Sequence, residues 1–304
     1  MQLSSIESVA YVEVLNGDES DRAAPFDLLI EVPHGADERA HYDALFARMK
    51  SVLPADLQVF FHVNTDIGAW DYGRRVAELV LAARPNARAL LVRCLVPRTF
   101  VDTNRELVAQ DLLATGGLTG ATPPYILDTG DHALLNAMHT EYVTLIDAAY
   151  ASVCSGTGMA LSPHTYGPYL LPIERIDEHI VDALRAAHAP EVLPTLKVRA
   201  EIDLLTDTKE GERLADPVLT ETIAQNLTSS GFEVARNASY CLLPGSQTHR
   251  QSVRYPGRVF CLEARRDLLV ENYAPLDAMH IDPSKIERLA IPIATAIGSW
   301  LERR

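Results

Sequence analysis

The chain has 304 residues, 47% hydrophobic and 22% charged, with a formal net charge of −14. That is ample apolar material for a core, and the charged share is that of an ordinary globular protein, which excludes a disordered chain. So acidic a surface repels nucleic acid and anionic membrane, so neither is expected as a partner, although a few clustered arginines can reverse the sign locally.

No run reaches the ~18 apolar residues needed to span a bilayer. The opening MQLSSIESVAYVEVLNG has no basic segment leading into an apolar one, so no signal peptide is expected. Cys94, Cys154, Cys241 and Cys261 show no CxxC spacing, and three of them lie in apolar runs. Reduced thiols and a cytoplasmic location are the expectation.

In chain order, apolar runs at 8–15, 26–32, 57–63, 88–94, 157–161, 196–204, 232–236 and 258–263 predict strands. Several are apolar on both faces, as strands between helix layers are. Helical spacing separates them. Val76, Leu79, Val80 and Ala83 form one stripe, and Leu134, Leu135, Met138, Tyr142, Leu145, Ile146 and Ala149 a longer one. Ile176, Ile180, Val181 and Leu184 form a third, and Val218, Leu219, Ile223 and Leu227 a fourth. A last helix is predicted near 283–302, opened by Asp282-Pro283 and kinked at Pro292. Strand and helix alternate without a linker. The expectation is therefore one α/β domain over 1–304, a three-layer α/β/α sandwich around a mostly parallel, mixed sheet. The segment 106–130, rich in Gly and Pro, interrupts the rhythm and reads either as a binding loop or as a surface excursion.

Four segments place polar groups at the ends of apolar runs, where open α/β sheets bind ligands. In LLIEVPHGADE, His34 and Asp37 share a tight turn and suit a cation such as Zn²⁺, while Asp37 also suits a helix cap. In LSPHTYG, a second Pro-His pair ends a run at His164, and with a carboxylate would complete a His₂-carboxylate set with a fourth position open to water. In RTFVDTNR, Arg98, Asn104 and Arg105 can fork onto a carboxylate, or form a surface cluster in which Asp102 holds Arg105. In VFCLEARR, Glu263 ends a strand, where burial would make it a general base or else require pairing to Arg265 or Arg266. No Gly-x-Ser-x-Gly string supports a serine hydrolase.

With these segments in this order, the sequence resembles the N-formylglutamate amidohydrolase family, related in fold to the zinc carboxypeptidases and aspartoacylases. The resemblance runs from about 26 to about 275 and is carried by VPHG at 32–35, TDIGAW at 65–70, PRTFVDTNR at 97–105 and RVFCLEARRDLL at 258–269, with LPGSQTHR at 243–250 as a further family-like loop. It implies a phosphorylase/hydrolase-like, zinc carboxypeptidase-like fold and one zinc ion per chain. By resemblance, His34 and His164 bind zinc with Asp37 as third ligand. Asp37 stands where the wider superfamily has Glu and is one methylene shorter, so Asp66 of TDIGAW is the reserve ligand and Glu38 the next. Arg98 would polarise the scissile carbonyl, Asn104 and Arg105 bind the substrate carboxylate, and Glu263 act as general base. Tyr166 joins the substrate-binding set, and His249, Arg250 and Arg254 are candidates to grip a second carboxylate. The implied reaction cuts an N-acyl amino acid such as N-formyl-L-glutamate into formate and the amino acid. A metallocarboxypeptidase or deacylase of other specificity is the alternative on the same scaffold, and a non-catalytic small-ligand-binding protein the alternative of another class.

Overall fold

The computed structural model describes residues 3–107, 120–173 and 175–304. Seven strands form one sheet: β1 (Ala10–Asn16), β2 (Leu28–Val32), β3 (Arg88–Cys94), β4 (Met159–Tyr166), β5 (Ile202–Leu205), β6 (Val234–Arg236) and β7 (Val259–Arg265). Their order is β1-β3-β2-β4-β7-β5-β6. The β1–β3 and β5–β7 pairs are antiparallel and the other four parallel, so the sheet is mostly parallel and mixed. The interior strands β2 and β4, the latter at the centre, are buried at every position.

Alternation along β2 explains the layers. Leu28, Ile30 and Val32 face one side and pack with α3 (Ala69–Ala83), α6 (Pro217–Ser229) and α8 (Pro283–Glu302). Leu29 faces the other side, with α1 (Arg39–Phe46), α2 (Gln58–Asn64), α4 (Thr129–Cys154) and α5 (Ile180–Ala187). This is the three-layer α/β/α arrangement. A short α7 (Gln247–Arg254) packs against α4 and β7. Among the described residues, no helix is long and apolar enough to cross a membrane.

Local chemistry fixes the helix starts. Asp128, Asp216 and Asp282 each accept hydrogen bonds from two backbone N–H groups of the helix they open, and Pro217 and Pro283 follow the last two. Helix α8 runs on through Pro292, whose carbonyl accepts from Asn226 Nδ2 at 3.1 Å. Helix α3 lies close on the sheet because Gly73 has no side chain; a Cβ there would stand 2.9 Å from Ile30 Cγ2 and 3.0 Å from Pro163 Cγ.

The run at 57–63 is a helix, not a strand. It carries the β-branched and aromatic residues of a strand, but short apolar runs do not separate the two by period. Val59, Phe60 and Phe61 bury themselves in the α1/α4 layer, and α2 packs on α5 rather than pairing with the sheet. The run at 196–204 yields strand only from Ile202, and the stripe 176–184 becomes helix only from Ile180. Of the segment 106–130, residues 108–119 lie outside the described residues. Cys94, Cys154 and Cys261 are buried free thiols and Cys241 is half-buried.

Candidate metal centre and its cavity

Three carboxyl-end positions build the site. β2 runs into Pro33 and then His34; β4 carries His164 near its end; β7 carries Glu263 directly beside His164 in register. Paired residues on adjacent parallel strands share a face and stand about 4.8 Å apart. The fourth position comes from the α2–α3 turn. There Asp66 N–H donates to His34 O at 3.4 Å, and Gly68, at φ 84°, makes the left-handed turn into α3.

These residues converge. Asp66 Oδ2 lies 3.2 Å from His34 Nδ1 and 2.9 Å from His164 Nδ1, and the imidazole centroids are 5.2 Å apart. All three are buried. Donor atoms held ~2.0–2.1 Å from a tetrahedral zinc stand ~3.3 Å from one another. The two nitrogen–oxygen separations match that edge within a few tenths of an ångström. Two imidazole nitrogens and one carboxylate oxygen are also the donor set of an open zinc site. The residues present therefore fit the ion.

What holds the imidazoles matters as much. His34 Nε2 lies 2.8 Å from Asp102 Oδ1, so a proton on Nε2 leaves the Nδ1 lone pair facing Asp66 and His164. Asp102 also accepts from Arg98 Nη2 at 3.0 Å, from Arg105 Nε at 3.1 Å and from the Asn104 backbone N–H at 3.0 Å. Burial would raise its carboxyl, but Arg98, His34 and Arg105 hold it well below the usual carboxylate range. Asp66 is likewise held low against burial by the two imidazoles, and its Oδ1 faces Arg98 Nη1 at 3.9 Å and Arg266 Nη2 at 3.7 Å.

On the other side, His164 Nε2 is 3.3 Å from Ser162 Oγ, which donates to Glu31 Oε2 at 3.3 Å. Glu31 occupies an α4-facing position of β2 where an aliphatic residue would otherwise stand. Tyr142 donates to it at 2.6 Å and Tyr150 at 3.3 Å, and burial pushes its carboxyl up.

Glu263 is distinct. Its Oε2 is sealed from solvent and has no hydrogen-bond partner among the described residues. Burial, and then the charge on Asp66, push its carboxyl up to about 7, against the opposing pull of His164, Arg199 and Arg266. It opens on a cavity of about 830 Å³ that also exposes His34, Asp66, Arg98, Asn104, Arg105 and His164.

The structure separates the remaining candidates. Asp66, not Asp37, meets the two imidazoles. Asp37 instead bonds Arg93, and burial raises its carboxyl to about 6 against that arginine's pull. Glu38 also accepts from Arg93, at 3.1 Å, so a cation already sits among Asp37, Glu38 and His41. Nor does Asp37 cap the helix: the N-cap of α1 is Glu38. Arg98 and Arg105 line the cavity and pair with Asp102, which is buried, so the pairing read from RTFVDTNR is present but is not a surface cluster. Asn104 Oδ1 accepts from Thr248 N–H and Oγ1, both at 3.0 Å, which ties this loop to α7. Tyr166 lines the cavity with its hydroxyl bonded to Ala200 O at 2.8 Å. His249, Arg250 and Arg254 do not line it: Arg250 forks onto Asp147 at 2.7 and 3.0 Å, and Arg254 lies over the Tyr255 ring.

Three residues here have contacts that the sequence does not foretell. Asp102 stands in RTFVDTNR as a partner of Arg105, with nothing to mark its contact with His34. Glu31 is legible as an acid in an otherwise apolar run. Arg199 lines the cavity between the Tyr166 and Tyr240 rings and comes from a segment with no distinguishing pattern.

No protein-family profile matches the chain, and no curated protein sequence does. Solved structures do. A gene product of Agrobacterium tumefaciens matches with a TM-score of 0.57 at 18% identity, over 99% of each chain. An N-formylglutamate amidohydrolase from Ralstonia eutropha matches with a TM-score of 0.57 at 15% identity, over 96% of this chain and 98% of that one. At such identities the likeness is one of fold: this chain folds as that amidohydrolase does.

Proposed function

We propose that the protein is a zinc-dependent hydrolase of a linear amide bond in a small substrate bearing a free carboxylate, with N-acyl amino acids of the N-formylglutamate type as the substrate class. One observation carries this reading. His34, Asp66 and His164 meet at zinc-ligand spacing in the same cavity as Glu263, whose carboxyl is raised by burial and whose Oε2 has no partner among the described residues.

His34 Nδ1, Asp66 Oδ2 and His164 Nδ1 would hold the ion, with Asp102 fixing the tautomer of His34. When bound, zinc supplies a Lewis acid and a water whose pKa falls towards about 7. Glu263, ionisable near neutrality, takes the proton of the water that adds to the amide carbon. It returns that proton to the leaving nitrogen as the C–N bond breaks, giving a carboxylic acid and a free amine. Arg98, steadied by Asp102, stabilises the negative charge that develops on the carbonyl oxygen. Arg105 and Asn104, on the same loop, hold the substrate carboxylate and so convert binding into orientation.

The direct test is steady-state hydrolysis of N-formyl-L-glutamate by the zinc-loaded full chain, followed by release of free amine. Turnover that disappears with a chelator and returns with zinc supports the reading. No turnover of any N-acyl amino acid in a panel would overturn it.

A further inference from the structure

The cavity is larger than a formyl substrate requires. At about 830 Å³ it lies towards the top of the ~300–1,000 Å³ range of pockets for drug-sized ligands. N-formylglutamate has only about a dozen non-hydrogen atoms, well below that size class. The surplus has a definite chemistry. Phe60 and Val63 of α2, and Leu171, Ile173, Ile176 and Ile180 from the connection after β4 into α5, line it together, with Arg175 and Asp177 of that connection beside them. Val63, Leu171, Ile173 and Ile176 are half-buried apolar side chains at the cavity's edge of the α1/α4 core. Such surface is costly in water and gains by taking an apolar group.

The position of this wall decides which part of the substrate it meets. Its elements are not those carrying the carboxylate-binding cations, which lie on the loop after β3. Helix α2 ends at Asn64, two residues before the ligand Asp66. Arg266 ties the two, donating from Nη1 to Val63 O while its Nη2 stands 3.7 Å from Asp66 Oδ1. The wall therefore begins at the metal centre. A substrate anchored by its carboxylate on Arg105 and Asn104, with its amide carbon at the metal, directs whatever lies beyond that carbon along α2.

We infer that the acyl group removed is a saturated or aromatic apolar chain of several carbons, seated against Phe60, Val63, Leu171, Ile173, Ile176 and Ile180, so that the substrates are N-acyl amino acids with apolar acyl groups longer than formyl. This rests on the hydrolase reading above for which end of the substrate is which.

The test uses a matched series on the full chain: N-formyl-, N-acetyl-, N-butanoyl- and N-hexanoyl-L-glutamate, with N-formyl-L-leucine and N-formyl-L-phenylalanine as the other arm. Binding is measured by calorimetry and hydrolysis by amine release with zinc. Affinity is expected to rise about fourfold per added acyl methylene, the gain from burying one CH₂, with an increasingly negative heat-capacity change. Ile176→Asn is expected to flatten that series, with a native circular dichroism spectrum and cooperative thermal unfolding reporting that the variant is folded. Should Ile176→Asn fail to fold, Val63→Thr serves the same comparison. Affinity independent of acyl length would overturn the inference, as would a gain confined to the leucine and phenylalanine arm. An acyl-length series in binding with no hydrolysis would leave this pocket standing and remove the hydrolase reading. Hydrolysis of the formyl substrate with no length dependence would do the reverse.

Discussion

At the scale of the residue, the site divides labour among carboxylates by environment. Asp66 and Asp102 are buried among cations and imidazoles that hold their carboxyls low, whereas Glu263 has an oxygen with no partner among the described residues and is pushed up to about 7. Glu263→Gln keeps the shape but removes the proton acceptor. It should leave zinc stoichiometry unchanged and lower kcat by about 10²- to 10⁴-fold; wild-type turnover would remove Glu263 from the mechanism. For the third ligand, Asp66→Asn should abolish zinc binding as His34→Ala and His164→Ala do, while Asp37→Asn should retain a full equivalent by metal analysis. The opposite pattern would return the role to Asp37. The sequence puts Asp37 first and Asp66 in reserve, because it does not show which carboxylate the turn after α2 brings to His34. Arg105→Ala should raise KM for carboxylate substrates by about 10- to 100-fold, as loss of a charged hydrogen bond does, and raise it far less for the corresponding amides. Equal effects on both would assign Arg105 to support of Asp102 alone.

At the scale of the element, strands were read well where an apolar run ended in a turn signal. β2 leads into His34 and β7 carries Glu263 at recognisable strings, Pro-His-Gly and Glu-Ala-Arg, whereas β4, expected over 157–161, runs on through Pro163 and His164 to Tyr166. The failure at α2 has a physical reason. Leu57–Val63 has strand composition, and only packing against α5 and the α1/α4 core makes it a helix. The apolar wall is therefore not legible from the sequence, since a strand over 57–63 belongs to the sheet rather than to the cavity. The close contact of α3 with the sheet tests the scaffold. Gly73→Val would drive methyl groups into Ile30 and Pro163, with an expected loss of about 1–3 kcal/mol in denaturant unfolding. Unchanged stability would mean that α3 can shift away from β2 and β4 without cost.

At the scale of the whole molecule, a chain of net charge −14 gathers Arg98, Arg105, Arg199 and Arg266 around one cavity. Asp66, Asp102, Asp177 and Glu263 line the same cavity, and Asp102 pairs with both Arg98 and Arg105. The fold class was legible from alternation of strand and helix and from apolar runs buried on both faces. The convergence of positions 34, 66 and 164 was not, since it depends on strand order: β2 and β4 become neighbours only because the chain makes β3 and α4 between them and returns. The size and polarity of the cavity were equally beyond a linear reading, because its walls come from α2, the loop after β3, the connection after β4, and β7.

The central claim is that these three distant positions bind one zinc ion. Crystals of the full chain grown with zinc, measured at the zinc absorption edge, test it most directly. The account predicts an anomalous peak within bonding distance of His34 Nδ1, Asp66 Oδ2 and His164 Nδ1. A peak at Asp37, Glu38 and His41 instead, or none between the two imidazoles, would contradict it.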